Sequence, residues 1–230
     1  GATGFSQFLG LESEVHATSE NGTTYRIYAE FGSATDECVA VYAVGASECL
    51  IFEEGTTPPN CQEYGPQLLE LGVTTSFYQN GGGANLGSSI NAFFLNIVPE
   101  IGYDSWFTIG SETNEDGPVS SIGMAGAFSE FNSGNGFTLG EAAVGGSWYL
   151  IPGSNPLAIA GEDGRVLLGQ FTATDDSEGN PGHVTCNWNI QWNGAGGSHN
   201  ELGVLHNTAD NVPDVMGCTD EAACNFDPAA

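Results

Sequence analysis

Two segments near the start of the chain alternate apolar and polar residues, the period of two that indicates half-buried β-strands. In the second segment, residues 24–31, the odd-numbered residues are all apolar and are expected to face the core, whereas Tyr28 and its even-numbered neighbours are expected to face out. Asn21-Gly22 lies between the segments and is typical of a hairpin turn, because both residues tolerate positive φ. The first two strands should therefore pair antiparallel. Their alternating apolar residues are Leu9, Leu11, Val15, Ala17, Tyr25, Ile27, Ala29 and Phe31.

The clearest strand pattern in the sequence spans residues 184–192. The apolar positions hold Val184, Cys186, Trp188, Ile190 and Trp192, and a polar residue stands between each pair. A cysteine that faces the core beside two tryptophans suggests a buried disulfide. We expect Cys186 to be oxidised, with Cys38, Cys49 or Cys61 as its partner.

Shorter strand patterns fill much of the remaining chain, with Gly- and Asn-rich turns between them and no convincing long amphipathic helix. Residues 66–73 fit either a short helix or a strand. The other predicted strands are residues 39–44 and 50–52, which form a second hairpin, and residues 103–109, 148–151 and 165–173. This succession predicts an all-β fold, an antiparallel β-sandwich or jelly-roll-like domain over residues 1–211. Residues 212–230 are expected to form a linker and the start of an irregular, Cys-containing acidic tail.

The charge of the chain narrows the range of partners. Arg26 and Arg165 are the only permanent cations against 29 carboxylates, and the formal net charge is −27. Such a surface repels nucleic-acid phosphates and anionic lipid headgroups, so neither is expected as a partner. The longest apolar runs, residues 92–98 and 148–151, fall far short of the roughly 20 residues that cross a bilayer. We therefore expect no membrane insertion.

Cysteine usage points to an oxidising compartment. The six cysteines are Cys38, Cys49, Cys61, Cys186, Cys218 and Cys224. Their spacing matches no zinc motif, whereas an even number in an acidic, lysine-free chain is typical of disulfides in a secreted protein. Because the chain begins at Gly1 rather than Met, we expect a mature protein from which an export signal has been removed.

Carboxylate-rich loops are the main candidates for chemistry, because Ca²⁺ takes six to eight oxygen ligands of the kind that Asp and Glu provide. No loop matches the EF-hand pattern, and solvated acidic loops that keep the protein soluble are the alternative interpretation. The candidate Ca²⁺ ligands are Glu112, Glu115, Asp116, Asp175, Asp176, Glu178, Asp220 and Asp227.

The sequence carries no recognisable catalytic constellation. The four histidines form no HExxH motif, and Ser105 does not lie in a GxSxG elbow. With so many carboxylates, some pair always resembles that of a glycosidase, so such a pair predicts nothing. Tryptophans on a sheet can stack on sugars, but the strand positions of Trp106, Trp148, Trp188 and Trp192 favour core packing. We therefore expect a protein that is not an enzyme.

The C-terminal residues Gly217-Cys218-Thr219-Asp220 and Cys224-Asn225-Phe226-Asp227-Pro228 carry a resemblance. They resemble the GCTD…ACNYDP…A unit found, often in tandem, near the ends of large secreted proteins of marine bacteria and some algae, with Phe226 in place of Tyr. The unit normally continues into an acidic segment that ends in another Cys, so the native chain is expected to be longer. Residues 103–110 and 164–172 are similar to uncharacterised secreted β-rich proteins of marine microbes. The resemblance implies an extracellular or cell-surface location and no reaction.

These observations predict an extracellular structural subunit of a self-assembling surface appendage, filament or coat, whose partners are copies of itself. The alternative is a carbohydrate-binding or adhesion module that takes an extracellular polysaccharide. The apolar N-terminal segment, with Gly1, Phe5 and Phe8, is the candidate for reaching into a neighbouring copy. An ordinary edge strand is the other interpretation of that segment.

Overall fold

The fold consists of two antiparallel sheets, seen in a computed structural model that describes residues 5–45, 67–140 and 145–211. The strands are β1 (Phe8–Ser19), β2 (Gly22–Phe31), β3 (Glu37–Ala43), β4 (Leu69–Val73), β5 (Trp106–Phe107), β6 (Ser120–Ile122), β7 (Phe137–Leu139), β8 (Gly146–Tyr149), β9 (Arg165–Ala173), β10 (Val184–Gly194) and β11 (Gly197–Asn207). The α-helices are α1 (Ala92–Leu95) and α2 (Ala125–Asn132), and short 3-10 helices span Gly87–Ser89, Pro99–Tyr103, Pro156–Ala158 and Thr208–Asn211. The predicted all-β, β-sandwich-like fold is confirmed.

The smaller sheet, sheet A, has the order β1-β2-β9-β5, and the larger one, sheet B, is built around β10. One edge of β10 pairs with β11, from Thr185 opposite Asn207 to Gly194 opposite Gly197. A strand has only two hydrogen-bonding edges. β3 and β4 therefore share the other edge of β10 end to end, and β8 and β7 continue the sheet beyond them. β6 pairs with β8 and forms an outer edge.

Asn189 holds the junction between β3 and β4. Its side-chain amide donates hydrogen bonds to the carbonyl oxygens of Tyr42 and Leu68, at 2.9 Å each, and its side-chain oxygen accepts from the backbone N–H of Gly203 at 2.9 Å. Asn189 is buried, so these bonds satisfy strand ends that would otherwise be costly to bury. One side chain thus links three strands of sheet B to β10.

The main core lies between the two sheets. The odd-numbered residues of β2 and the predicted apolar face of β10 are all buried in it, as the alternation predicts. Phe107 of β5 is fully buried at its centre, where sheet A meets α2 and sheet B. The four tryptophans are at most 3 % exposed, which confirms that they pack in the interior.

A second, smaller apolar cluster covers the outer face of sheet A. Ile90 and Ile101, from the helical segment 87–103, pack there against Tyr28 and Leu167. The expectation that Tyr28 faces solvent is therefore wrong, because its side of the sheet is covered by this segment.

The first hairpin forms as predicted, but its turn lies one residue earlier. Ser19 pairs with Gly22, so Glu20 and Asn21 are the loop residues, and only Gly22 has a positive φ, +115°. A Cβ on Gly22 would lie 2.1 Å from the carbonyl oxygen of Ala173 on β9. Glycine is therefore needed at this position for its conformation and for the close approach of β9.

Three strand predictions need correction. β1 is an edge strand with two register shifts, and Leu9 and Val15 on it are exposed rather than half-buried. The seven-residue strand predicted over 103–109 reduces to the two residues of β5, and that over 148–151 lies at Gly146–Tyr149 as β8. The undecided segment 66–73 contains a strand, β4. Residues 50–52, the predicted partner of the second hairpin, lie outside the described residues.

Cys38 and Cys186 are both buried, as predicted for Cys186, but both are free thiols. Cys38 lies opposite Trp192, six residues along β10 from Cys186. Six residues of strand span about 20 Å, whereas a disulfide needs Cα atoms within about 7 Å. Of the three partners considered for Cys186, Cys38 is therefore excluded. Cys49, Cys61, Cys218 and Cys224 lie outside the described residues, and disulfides that involve them stay a prediction.

Candidate functional site

The loop that carries Glu112, Glu115 and Asp116 uses two of its three carboxylates within the chain. Asp116 Oδ2 accepts hydrogen bonds from the backbone N–H groups of Glu112, at 2.9 Å, and Thr113, at 3.0 Å. Glu112 Oε2 lies 2.5 Å from an Nη2 donor of Arg26. Glu115 is exposed. The loop is thus organised by its own hydrogen bonds.

The loop that carries Asp175, Asp176 and Glu178 is organised in a similar way. Asp176 Oδ2 accepts from the side-chain amide of Asn180, and Oδ1 accepts from the backbone N–H groups of Asn180 and Glu178, all at 2.8–2.9 Å. These bonds, the Asn180 amide first, lower the pKa of Asp176. Asp175 and Glu178 are exposed beside it.

No three His, Cys, Asp or Glu side chains gather as a metal site within residues 5–45, 67–140 and 145–211. The candidate ligands Asp220 and Asp227 lie outside these ranges. Ca²⁺ binding therefore stays a prediction, and the loops of Asp116 and Asp176 remain its candidates.

Both arginines are engaged on the outer face of sheet A. Arg26 of β2 pairs with Glu112. Arg165 of β9 lies 3.1 Å from Glu14, and its guanidinium carbon is 4.1 Å from the centre of the Tyr28 ring. Although burial alone would raise it, the hydrogen bond from Tyr28 and the charge of Arg165 hold the pKa of Glu14 below its usual value. The two permanent cations of the chain therefore neutralise its own carboxylates.

An exposed apolar patch lies on α1 and the turn after it. Phe93, Phe94, Ile97 and Val98, here called the Phe93 patch, are 66 %, 47 %, 57 % and 37 % exposed. At about 200 Å² for a large side chain, the patch presents roughly 400 Å² to solvent. The two phenylalanine rings stand edge to face, 5.9 Å apart.

Local sequence explains why these side chains point outward. Asn91 caps α1 by accepting a hydrogen bond from the backbone N–H of Phe93 at 3.0 Å. The helix is one turn long, and Leu95 is its residue that packs against the small cluster over sheet A. A helix of a single turn directs only about one side chain inward, so the other apolar side chains of this segment face solvent. In the sequence the run 92–98 is visible only as an apolar segment; its exposure follows from the fold.

The N-terminal residues named as assembly candidates behave differently from one another. Phe8 packs its ring against that of Phe31, with 5.7 Å between the ring centres. Just before it, the hydroxyl of Ser6 and the backbone N–H of Gln7 donate hydrogen bonds to the buried carboxylate of Asp36. Phe5 is 89 % exposed. Gly1 lies outside the described residues. Phe8 thus packs partly on its own core, and a role in assembly stays a prediction for Gly1, Phe5 and Phe8.

Asp104 is a buried carboxylate beneath the Gly-rich loop 80–84. Its Oδ1 accepts from the backbone N–H of Asn80 at 2.7 Å, and its Oδ2 from that of Ala84 at 3.1 Å. Burial raises its pKa to about 6 despite these bonds. A cavity of about 370 Å³ adjoins it, and its other lining residues among those that the structure describes are neutral. The two hydrogen bonds from backbone N–H groups tie the loop to Asp104.

The outer face of sheet B carries a groove across five strands. Strand registers place Ser120, Tyr149, Ala40, Gln191 and Asn200 in one row and Ile122, Ser147 and Tyr42 in the next. Side chains alternate between the faces of a strand, and the neighbours Val41, Trp148 and Ile190 point into the core. Both rows therefore lie on the opposite face. The cavity that their side chains line, of about 490 Å³, is called the sheet B groove.

The tail unit at residues 217–230 also lies outside the described residues. Each described helix is much too short and insufficiently apolar to cross a bilayer. Comparisons with protein-family models, curated proteins and solved structures find no match to this chain.

Proposed function

We propose that this protein is an extracellular structural subunit that associates with copies of itself through the Phe93 patch. The observation that carries the proposal is the concentration of exposed apolar side chains on α1 of a chain with a formal charge of −27. The largest exposed apolar patch of a typical soluble monomer has about this size and is often functional. An extracellular location, and disulfides among the cysteines outside the described residues, belong to the same proposal, and the resemblance of the Cys-containing tail to secreted proteins supports them.

Charge favours apolar contact over ion pairing between copies. Two subunits of like charge repel each other, and both arginines already pair with carboxylates of their own chain. Burying apolar area is favourable by about 25 cal/mol per Å². Most of this gain offsets the lost translational and rotational freedom of the two copies, about 4–15 kcal/mol, and the ordering of side chains at the contact. Apolar contact is therefore large enough to matter, whereas ion pairs between copies have few cations to use.

The patch alone does not make a stable interface, which needs about 800 Å² from each partner. Strand pairing is a suitable supplement, and β6 offers the best edge. Its residues Ser120–Ile122 are all exposed, and no described strand pairs with its outer side. The longer edge strand β1 carries Glu12, Glu14 and two register shifts, features that protect edges from pairing. We therefore expect weak association that strengthens with concentration.

The test is sedimentation velocity of the full chain over a range of concentrations, with electron microscopy of the most concentrated samples. The double variant Phe93→Ser/Phe94→Ser should weaken association by about a hundredfold, or roughly 2.7 kcal/mol. Leu205→Ser is the matched control, because Leu205 is 76 % exposed on β11. The substitution removes an exposed apolar side chain that lies outside the Phe93 patch. It should associate like the wild type.

Three results would refute the proposal. The first is a wild-type protein that stays monomeric at about millimolar concentration. The second is a double variant that associates as well as the wild type, and the third is an assembly that dissolves when salt is added without a chelator. Salt screens the repulsion between copies, so apolar association should be maintained or strengthened by it.

A further inference from the structure

The sheet B groove owes its shape to the order of large and small side chains across the strands. Ala40 lies opposite Tyr149, and Ser147 lies opposite Tyr42. The two small residues form the floor, and the two tyrosines stand on either side of it as diagonal neighbours, about 7–8 Å apart. Both tyrosines are half-buried, so their rings are held by the sheet and still reach solvent.

The rim of the groove supplies neutral hydrogen-bonding groups. The hydroxyl of Tyr42 donates to Asn200 Oδ1 at 3.2 Å, and the side-chain amide of Gln191 donates to Ser198 Oγ at 3.1 Å. Burial raises the pKa of Tyr42 to about 12, so its hydroxyl stays a neutral donor at physiological pH. Each of these groups has hydrogen-bonding capacity left for a ligand.

Among the residues that the structure describes, none that lines the groove carries a charge. In a chain with 29 carboxylates, a surface of this extent without one is unsuited to cations. The negative field of the surrounding protein repels anions. A neutral ligand is therefore the one that suits both the groove and its surroundings.

We propose that the sheet B groove binds a neutral polysaccharide, with Tyr42 and Tyr149 packing against sugar rings and Gln191 and Asn200 bonding to their hydroxyl groups. A sugar ring has an apolar C–H face and a rim of hydroxyls, which match an aromatic ring and amide groups. The groove is open and crosses strands β6, β8, β3, β10 and β11, a form that suits a chain passing over the sheet.

The groove and the Phe93 patch lie on opposite faces of the sandwich, and β6, whose Ile122 lines one end of the groove, is the element that both proposals use. The Phe93 patch lies on the segment that covers the outer face of sheet A, whereas the groove lies on the outer face of sheet B. The core separates the two faces. A subunit is therefore able to hold a polysaccharide with one face while the other contacts a second copy.

The test uses affinity electrophoresis and calorimetry with laminarin, hydroxyethyl cellulose and galactomannan as neutral probes, and polygalacturonate as the anionic one. All proteins carry Phe93→Ser/Phe94→Ser, so that avidity from self-association does not contribute. We expect binding to at least one neutral probe and none to polygalacturonate. Tyr149→Ala should raise the dissociation constant at least about tenfold, and Tyr149→Phe, which keeps the ring, should bind nearly as well as the parent.

Tyr103→Ala is the matched control, because it removes a half-buried tyrosine from the other side of the sandwich. Circular dichroism checks that each variant is folded. Failure of all three neutral probes to bind, equal binding by Tyr149→Ala and its parent, or a preference for polygalacturonate would overturn the assignment. Each of these results leaves the self-association proposal untouched, since that is measured by sedimentation in the absence of glycans.

Discussion

Replacing Phe107 should cost this protein a large part of its stability. The ring is fully buried and lies at the meeting point of sheet A, α2 and sheet B. Its aromatic neighbours, with distances between ring centres, are Phe131 at 4.7 Å, Trp148 at 4.8 Å, Phe171 at 5.3 Å, and Phe128 and Phe137 at 5.9 Å. The substitution Phe107→Ala therefore opens a cavity that five rings surround.

The magnitude follows from burial and from the aromatic contacts. Truncating a buried Phe to Ala typically costs about 3–5 kcal/mol, and aromatic pairs add about 0.5–1.5 kcal/mol beyond area. With five ring neighbours we expect about 5 kcal/mol for Phe107→Ala. Domains of this kind are stable by about 5–15 kcal/mol, so the variant should be close to unfolding at room temperature. Phe107→Leu keeps most of the volume and should cost less than about 2 kcal/mol.

Urea unfolding provides the assay, followed by tryptophan fluorescence because Trp148 is in contact with the substituted position. Phe93→Ala is the control: it deletes an identical ring from the exposed patch and should change stability by less than about 0.5 kcal/mol. A loss below about 1 kcal/mol for Phe107→Ala, or equal losses for the Ala and Leu variants, would refute the assignment of Phe107 as the centre of the core.

Two further predictions concern pH and cations. Because the folded pKa of Asp104, about 6, lies above its usual 3.8, its favourable contribution is present below about pH 4 and is lost as pH rises through 6. Relative to Asp104→Asn, the wild type should therefore lose up to about 3 kcal/mol of unfolding free energy over that range. Urea unfolding of both proteins at several pH values measures this, and a difference in unfolding free energy between them that does not change with pH would contradict it. If Ca²⁺ binds the loop of Asp176, a chelator should lower the melting temperature of the wild type but not of Asp176→Ala; calorimetry at fixed ionic strength that shows no effect of chelator or added Ca²⁺ would count against the site.

The sequence predicted the strands that have one clear apolar face. β2, β9 and β10 lie within a residue or two of the predicted segments, because their alternation matches the pleat and one side faces the main core. The pattern could not show that the other face of β2 is covered too. That depends on the segment 87–103 folding back over Tyr28, a contact between residues far apart in the chain.

The two proposed binding surfaces differ in how far the sequence alone predicts them. The apolar run of the Phe93 patch can be read from the sequence, but only the single-turn length of α1 shows that most of it faces solvent. The sheet B groove has no local signal at all. It exists because pairing of β3 with β8 sets Ala40 opposite Tyr149, more than a hundred residues later in the chain.

The position of β10 in the sequence also sets the order in which the protein can fold. β3 and β4 are complete by Val73, whereas the strand that both of them pair with begins only at Val184. Folding dominated by such distant pairings is slow, because loop closure precedes the contacts that stabilise it. Sheet B therefore has to wait until β10 has been synthesised, and a growing chain that stops short of Val184 holds β3 and β4 without their common neighbour.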